Sequence, residues 1–260
     1  MTDAPVVLSE LLELADAAAD AVVEALVSAD ARADLGIDTK SSPSDLVTAM
    51  DRWAEETIVA TLVSARPDDG LIGEEGTDQP SSSGVVWVID PIDGTTNFVR
   101  NLPGFSVSIA ARVGGVDSVG VVADPVRSER FHAVLGGGAT CNGEPIRVTA
   151  ADDLSRALLA TGFNYRPEVR AEQAAVVGDL LPGVADIRRF GGAAMDCCFV
   201  ASGRVDAYFE TGVQDWDIAA GGLIVREAGG ITLDHRPGGG PWVAAAPGLA
   251  EPLARAIGIA

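Results

Sequence analysis

Lysine is almost missing from this chain of 260 residues: Lys40 stands alone beside seventeen arginines. A genome-wide bias toward Ala, Val, Gly and Asp accounts for the scarcity and leaves the single lysine conspicuous. Against 18 cations stand 38 acids, for a formal charge of −20. A surface of that sign repels nucleic acid and anionic membranes, which are bound through Lys and Arg, so cations are the expected partners. Cysteine is scarce too. Cys141, Cys197 and Cys198 show no metal-ligand spacing, and adjacent cysteines rarely bridge within disulfide geometry, which fits a reducing cytosol. No run reaches the ~18 apolar residues of a membrane span. Asp3, Glu10, Glu13, Asp16 and Asp20 interrupt the N-terminal pattern, which excludes the basic and apolar regions of an export signal. A cytoplasmic protein without membrane or direct nucleic-acid contacts is expected.

Hydrophobic residues make up 47% of the chain, enough to bury a substantial core. Apolar spacing predicts helices over Leu8 to Val27 and Asp51 to Ala65, separated by the turn-rich KSSPSD. The strand LIG runs into Glu74 and Glu75, and VVWVI follows the polar loop QPSSSG. Ser106 to Val113 and Val116 to Asp124 read as a hairpin around Gly114 and Gly115, with further strands at Phe131 to Val134 and Ala139 to Val148. Beyond Thr149 strands and helices alternate. Strands are expected at Ala157 to Thr161, Ala207 to Glu210 and Ile231, with helices over Arg170 to Leu181, Ala193 to Ala201, Trp216 to Ala228 and from Leu249. Ile187 to Phe190 reads as strand or loop. The division is therefore an α+β part over 1–148 and an α/β part over 149–260.

The stretch VWVIDPIDGTTNF ends a buried strand in two aspartates. Pro91 fixes its own φ and removes a donor, so the strand is expected to stop and turn between Asp90 and Asp93. No Lys or Arg lies between Arg66 and Arg100 to neutralise them. A divalent cation would, since Mg²⁺ is held by a few carboxylates and a carbonyl while keeping several waters. The plainer alternative makes Asp93 an N-cap for a short helix at Gly94 to Phe98; the two readings are compatible, since the free N–H groups of Gly94, Thr95 and Thr96 beside a metal form a phosphate site. Glu74 and Glu75, Asp215 and Asp217, and Asp51 repeat the arrangement, each at the end of an element and each with an ordinary reading as cap or exposed loop acid.

LVTAMD, GEEG, WVIDPIDGTTNF and WDIAAGGLIVREAGG resemble, in order and spacing, the inositol monophosphatases of the lithium-sensitive, magnesium-dependent phosphatase superfamily. The similarity runs from Lys40 to Gly230. It implies a layered α-β-α-β-α sandwich of the inositol monophosphatase and fructose-1,6-bisphosphatase type, two to three Mg²⁺ per site, and a homodimer. Glu74 is then a ligand of the first and third metals and part of the catalytic apparatus. Asp90 bridges two metals, the Ile92 carbonyl completes the first, and Asp93 and Asp217 hold the second. Gly94 and Thr95 bind phosphate, and Asp51 accepts a hydrogen bond from Thr95. A cation-activated water, its proton drawn through Thr95 toward Asp51, attacks phosphorus in line.

Substrate choice falls to the second part of the chain. By the same resemblance Glu210 accepts hydrogen bonds from ring hydroxyls, the backbone of Gly191, Gly192 and Ala193 contacts the polyol, and Asp217 lies at the substrate as well. Many relatives carry Ser or Thr in place of Gly192, so a hydroxyl contact is lost here. By that resemblance Lys40 falls in the family's mobile KSSPSD loop and is expected to reach a metal-site water or the phosphate. His132 and His235 read as structural or surface, Arg188 and Arg189 as an exposed pair able to meet an anion or a second subunit, and Cys197 and Cys198 as buried hydrophobes. The implied activity is Mg²⁺-dependent hydrolysis of myo-inositol 1-phosphate and related polyol or sugar phosphates. Fructose-1,6-bisphosphate, alone or as a second substrate, is the alternative, followed by histidinol phosphate. A regulatory partner in a transcription complex is the reading from another class.

Overall fold

Leucine, alanine and valine recur at helical spacing from Leu11 to Leu26, and in the computed structural model, which describes residues 6–28, 36–40 and 46–259, they form the buried stripe of α1 (Leu8–Val27). A ribbon of β1 (Asp38–Thr39) and β2 (Leu46–Val47) leads to α2 (Ala49–Ala65). Most of the loop KSSPSD, residues 41–45, lies outside the described residues. Thr48 and Asp51 open α2 with a reciprocal capping box, in which the Asp51 carboxylate accepts from the Thr48 backbone N–H at 2.7 Å.

The next strands are β3 (Gly70–Gly73), β4 (Asp78–Gln79) and β5 (Val85–Asp93); the short α3 (Thr95–Val99) separates them from β6 (Ser106–Val113), β7 (Val116–Asp124), β8 (Glu129–Val134), β9 (Gly138–Cys141) and β10 (Glu144–Pro145). They form one sheet in the order β10-β9-β8-β7-β6-β5-β3-β4, antiparallel except where β3 lies beside β5. Gly114 and Gly115, both at positive φ, turn the β6–β7 hairpin. The chain continues through β11 (Leu158–Thr161), α4 (Pro167–Leu180), β12 (Asp186–Arg188), α5 (Ala193–Ala201), β13 (Ala207–Thr211), α6 (Asp215–Glu227), β14 (Ile231–Asp234), β15 (Pro241–Ala245) and α7 (Ala250–Ala256). Its sheet runs β12-β11-β13-β15-β14, with β11 parallel to both neighbours.

Three buried clusters define the layers. One joins α1 and α2 to a face of the eight-stranded sheet; the second fills the space between the two sheets with α5 and α6; the third covers the far face of the five-stranded sheet with α4 and α7. The order is α-β-α-β-α. Small residues make the middle layer thin: a Cβ on Gly221 would lie 2.6 Å from Cys197 Cβ, and one on Gly120 would lie 2.9 Å from the Ala220 carbonyl. Among the described residues no helix is long and apolar enough to cross a membrane.

The short strands β1, β2 and β4 are additions to the sequence reading, and two larger elements differ from it. β5 does not end before Pro91 but carries through it to Asp93, with the register to β6 broken between Asp90 and Asp93. A bulge tolerates the missing N–H and so lets Pro91 sit inside a strand. β15, PWVAA, is too short and too rich in alanine to show a period, and its strand form comes from pairing with β13 and β14 on both sides.

Glu55 of α2 is 3% exposed and anchors the loop after β3. Its carboxylate accepts from Glu75 N at 2.8 Å, Thr77 N at 3.0 Å and Thr77 Oγ1 at 2.6 Å. Gly73 makes room, since a Cβ there would lie 2.5 Å from that carboxyl. Glu55→Ala strands these donors and is expected to cost roughly 2–4 kcal/mol, measured by urea unfolding, with Glu55→Gln intermediate; an unchanged midpoint would show that the loop is held otherwise.

Candidate active site

Alternation along β5 decides which way its acids face. Trp87 and Ile89 pack toward α1 and α2, whereas Val88 belongs to the cluster between the sheets, so Asp90 follows Val88 toward α6. There the strand tip meets the Glu74 loop, the start of α3 and the N-termini of α5 and α6. These ends line a cavity of ≈ 370 Å³ whose walls carry six carboxylates, Glu74, Asp90, Asp93, Asp196, Glu210 and Asp217, with Lys40, Arg166 and Arg189. Every residue expected at the site from the sequence lines this cavity except Asp51, which lies behind Thr95.

Asp93 caps a helix, but not the one that follows it. α3 begins at Gly94 without a side-chain cap, and the Asp93 carboxylate instead accepts from Ala193 N at 3.0 Å and Ala194 N at 2.9 Å, at the start of α5. Gly192 permits that approach, because a Cβ at 192 would lie 2.7 Å from Asp93 Oδ2. Gly94, at φ 88°, is required on two counts, since a Cβ would also lie 2.7 Å from the Gly104 carbonyl. Asn97 ties these loops together by donating to the carbonyls of Gly104 at 2.8 Å and Phe190 at 2.7 Å. Asp217 opens α6, where it accepts from Gln214 N at 2.6 Å in a capping box.

Thr95 Oγ1 lies 3.2 Å from Asp51 Oδ1 and 3.2 Å from the Ile92 carbonyl, so its one proton has two acceptors. The other Asp51 oxygen is fixed by the Thr48 hydroxyl at 2.6 Å. Burial raises the Asp51 pKa, working against the Thr48 bonds and with the charge of Glu74. Asp90 and Asp217 are held well above the usual aspartate range, first by enclosure and then by neighbouring carboxylates, and burial pushes Asp93 up to about 7 although the N–H groups of α5 oppose it.

Lys40 Nζ pairs with Glu74 Oε1 at 2.8 Å and Glu75 Oε1 at 2.6 Å, so the lone lysine meets two carboxylates, one of them a ligand candidate itself, where a metal-site water or the phosphate was expected. Burial works to lower its pKa, and the two glutamates outweigh it and raise it. Glu210 accepts from the Tyr208 hydroxyl at 2.8 Å and packs over Gly162, where no Cβ could fit. Three contributors were not singled out in the sequence: Glu55, Asn97 and Asp196. Asp196 sits in the apolar run AAMDCCFVA and burial drives its pKa well up. The isolated acid in that run was the available signal. Arg188 pairs with Asp186, while Arg189 lines the cavity; His132 pairs with Asp16 at 2.8 Å, away from it.

Residues 7–257 match the model of the inositol monophosphatase family. The chain belongs to that family. It is 48% identical over 226 residues, 84% of this chain and 85% of the relative, to a Pasteurella multocida protein named "Nus factor SuhB". It is 45% identical over 238 residues, 86% of this chain and 82% of the relative, to "Inositol-1-monophosphatase SuhB" of Mycobacterium tuberculosis. The extragenic suppressor protein suhB of Bartonella henselae superposes with a TM-score of 0.88 at 35% identity, covering 96% of this chain and 98% of that one.

The inositol monophosphatase family is metal-dependent, and the donors here suit a hard cation: carboxylates and one backbone carbonyl, with negative charge in excess. Among the described residues no three such groups close a coordination shell by themselves. Mg²⁺ needs only one or two carboxylates with waters and substrate oxygens, so the arrangement fits it. The raised Asp93 and Asp90 make metal-free stability fall with pH. A carboxyl whose folded pKa lies above its unfolded value stabilises fully below the unfolded pKa and loses that contribution as pH rises through the folded one. Between the ordinary aspartate value of 3.8 and about 7, the melting temperature of the metal-free protein should therefore fall. Mg²⁺ should restore it at pH 8 more than at pH 5; calorimetry showing a metal-free optimum at pH 8 would contradict the clustering.

Proposed function

We propose that this inositol monophosphatase relative hydrolyses phosphate monoesters of polyols, with myo-inositol 1-phosphate foremost. Mg²⁺ would be held by Glu74, Asp90, Asp93, Asp217 and the Ile92 carbonyl, in two to three sites. The observation that carries the reading is the hydrogen-bonded chain from Thr95 Oγ1 to Asp51 Oδ1, set among those carboxylates. Bound magnesium supplies the positive charge that accepts a phosphate dianion and lowers the pKa of an attacking water.

The chain's own groups do the rest. Thr95 Oγ1, donating to Asp51, keeps lone pairs free to accept a proton from water on the cavity side, and passes its own to Asp51 Oδ1. Burial makes Asp51 a stronger base than an ordinary carboxylate. Thr48 holds that base in place through its second oxygen, so the proton path has one geometry. Gly94 and Thr95, at the start of α3, have backbone N–H groups outside the helical ladder, available to phosphate oxygens. Glu210 offers an acceptor for alcohol hydroxyls.

The same reading places the enzyme in the cytoplasm as a lithium-sensitive homodimer. Fructose-1,6-bisphosphate and then histidinol phosphate are the alternative substrates. A second reading, partnership in a transcription complex, is favoured by relatives named "Nus factor SuhB"; since Asp51, Glu74, Asp90, Asp93, Thr95 and Asp217 are all present, it would add to the enzymatic role and not replace it.

Phosphate release from inositol, fructose, histidinol and nucleotide phosphates, with and without Mg²⁺ and Li⁺, tests the proposal. Turnover should need Mg²⁺, fall with Li⁺ and favour inositol phosphate; no metal-dependent release from any substrate would refute it. Asp93→Asn should abolish turnover in a folded protein. Asp51→Asn should lower kcat by roughly 10²–10⁴-fold, and a full rate in either variant would remove that residue from the mechanism.

A further inference from the structure

Asp196 has no role in the reaction proposed above, yet its placement is costly. It is 1% exposed, and its Oδ1 is, among the described residues, the buried side-chain polar atom without a hydrogen-bond partner. A buried carboxyl oxygen left unpaired destabilises the folded protein, and such a group calls for an explanation, of which service to a ligand is one. Nothing around it in α5 asks for an acid. Its neighbours in sequence, Met195 and Cys197, are buried apolar side chains, and the helix is fully buried.

The missing donor has one side to come from. Asp196 lines the same cavity as Glu210 and Asp217. Glu210 carries the Tyr208 hydroxyl on Oε2, which leaves acceptor capacity on its other oxygen. Arg189 lines this cavity as well, and its positive charge acts on both Asp196 and Glu210. A second cation between the two acids is therefore disfavoured, and a neutral donor is favoured. Asp196 Oδ1 is enclosed while the residue itself lines the cavity, so the donor the carboxyl lacks would be a neutral hydroxyl there, directly or through a single water.

We propose that Asp196 is a specificity-determining residue that, with Glu210, cradles neighbouring hydroxyls of a polyol phosphate. The inference rests on the phosphatase reading and deepens it. α5 then serves two ends of one substrate. Its N-terminal N–H groups fix Asp93 beside the phosphate, and Asp196, one turn on, receives the alcohol.

The test compares wild type with Asp196→Ala, Asp196→Leu and Asp196→Asn on myo-inositol 1-phosphate, glycerol 2-phosphate and p-nitrophenyl phosphate, whose aryl group has no hydroxyl to offer. For Ala and Leu, KM for the two polyol phosphates should rise roughly tenfold or more. The kcat/KM for the aryl ester should stay within about twofold. Asn, which keeps an acceptor oxygen, should recover part of the polyol affinity. Melting temperatures should hold or rise, because an unpaired buried acid has been removed; if Ala or Leu fails to fold, Asn carries the comparison. Equal losses on all three substrates, unchanged polyol KM, or lower melting temperatures throughout would make Asp196 structural and overturn the inference. Wild type active on the aryl ester but on no polyol phosphate would overturn it alone; wild type inactive on all three would take the phosphatase reading with it.

Discussion

Mutual repulsion among Glu74, Asp90, Asp93 and Asp217 is the constraint on which the rest of this structure depends. Like charges enclosed together cannot all ionise cheaply, and the surroundings distribute that cost. Asp93 receives the N–H groups of α5, Asp217 that of Gln214, and Glu74 the ammonium of Lys40. These are partial remedies. The residual charge is what a divalent cation would satisfy, and Lys40 stands in for part of it on Glu74.

Around that constraint the layers become intelligible. A sheet tip can bring acids together only if the elements facing it approach closely, and the small residues of α5 and α6 allow this. Gly120 and Gly221 thin the middle layer, Gly192 clears space around Asp93, Gly94 lets its turn approach the Gly104 carbonyl, and Gly162 clears space around Glu210. Glu55 holds the Glu74 loop from behind. The same logic reconciles a charge of −20 with a phosphate substrate: cations held at the site would invert the local field, and the surface charge would attract those cations.

Much of this was legible in the sequence, and for identifiable reasons. α1 and α5 have the bounds their apolar patterns predict, and the Gly114–Gly115 turn is local chemistry. The acidic motifs were visible because each ends an element. What escaped depended on distant partners. Pro91 suggested a stop where a bulge carries β5 onward, since only the register with β6 reveals it. The alternative reading of Asp93 as a cap pointed to the next helix, whereas the helix it caps lies a hundred residues later. β15 has no period of its own, and the unpaired state of Asp196 exists only in three dimensions.

The central claim is that the carboxylate cluster is a divalent-cation site for phosphate. Anomalous diffraction from crystals grown with Mn²⁺ and inorganic phosphate tests it most directly. The account predicts manganese peaks bound by Glu74, Asp90, Asp93, Asp217 and the Ile92 carbonyl, phosphate beside Gly94 and Thr95, and Lys40 displaced from Glu74. Manganese absent from this cavity at saturating concentration, with Lys40 still on Glu74, would contradict it.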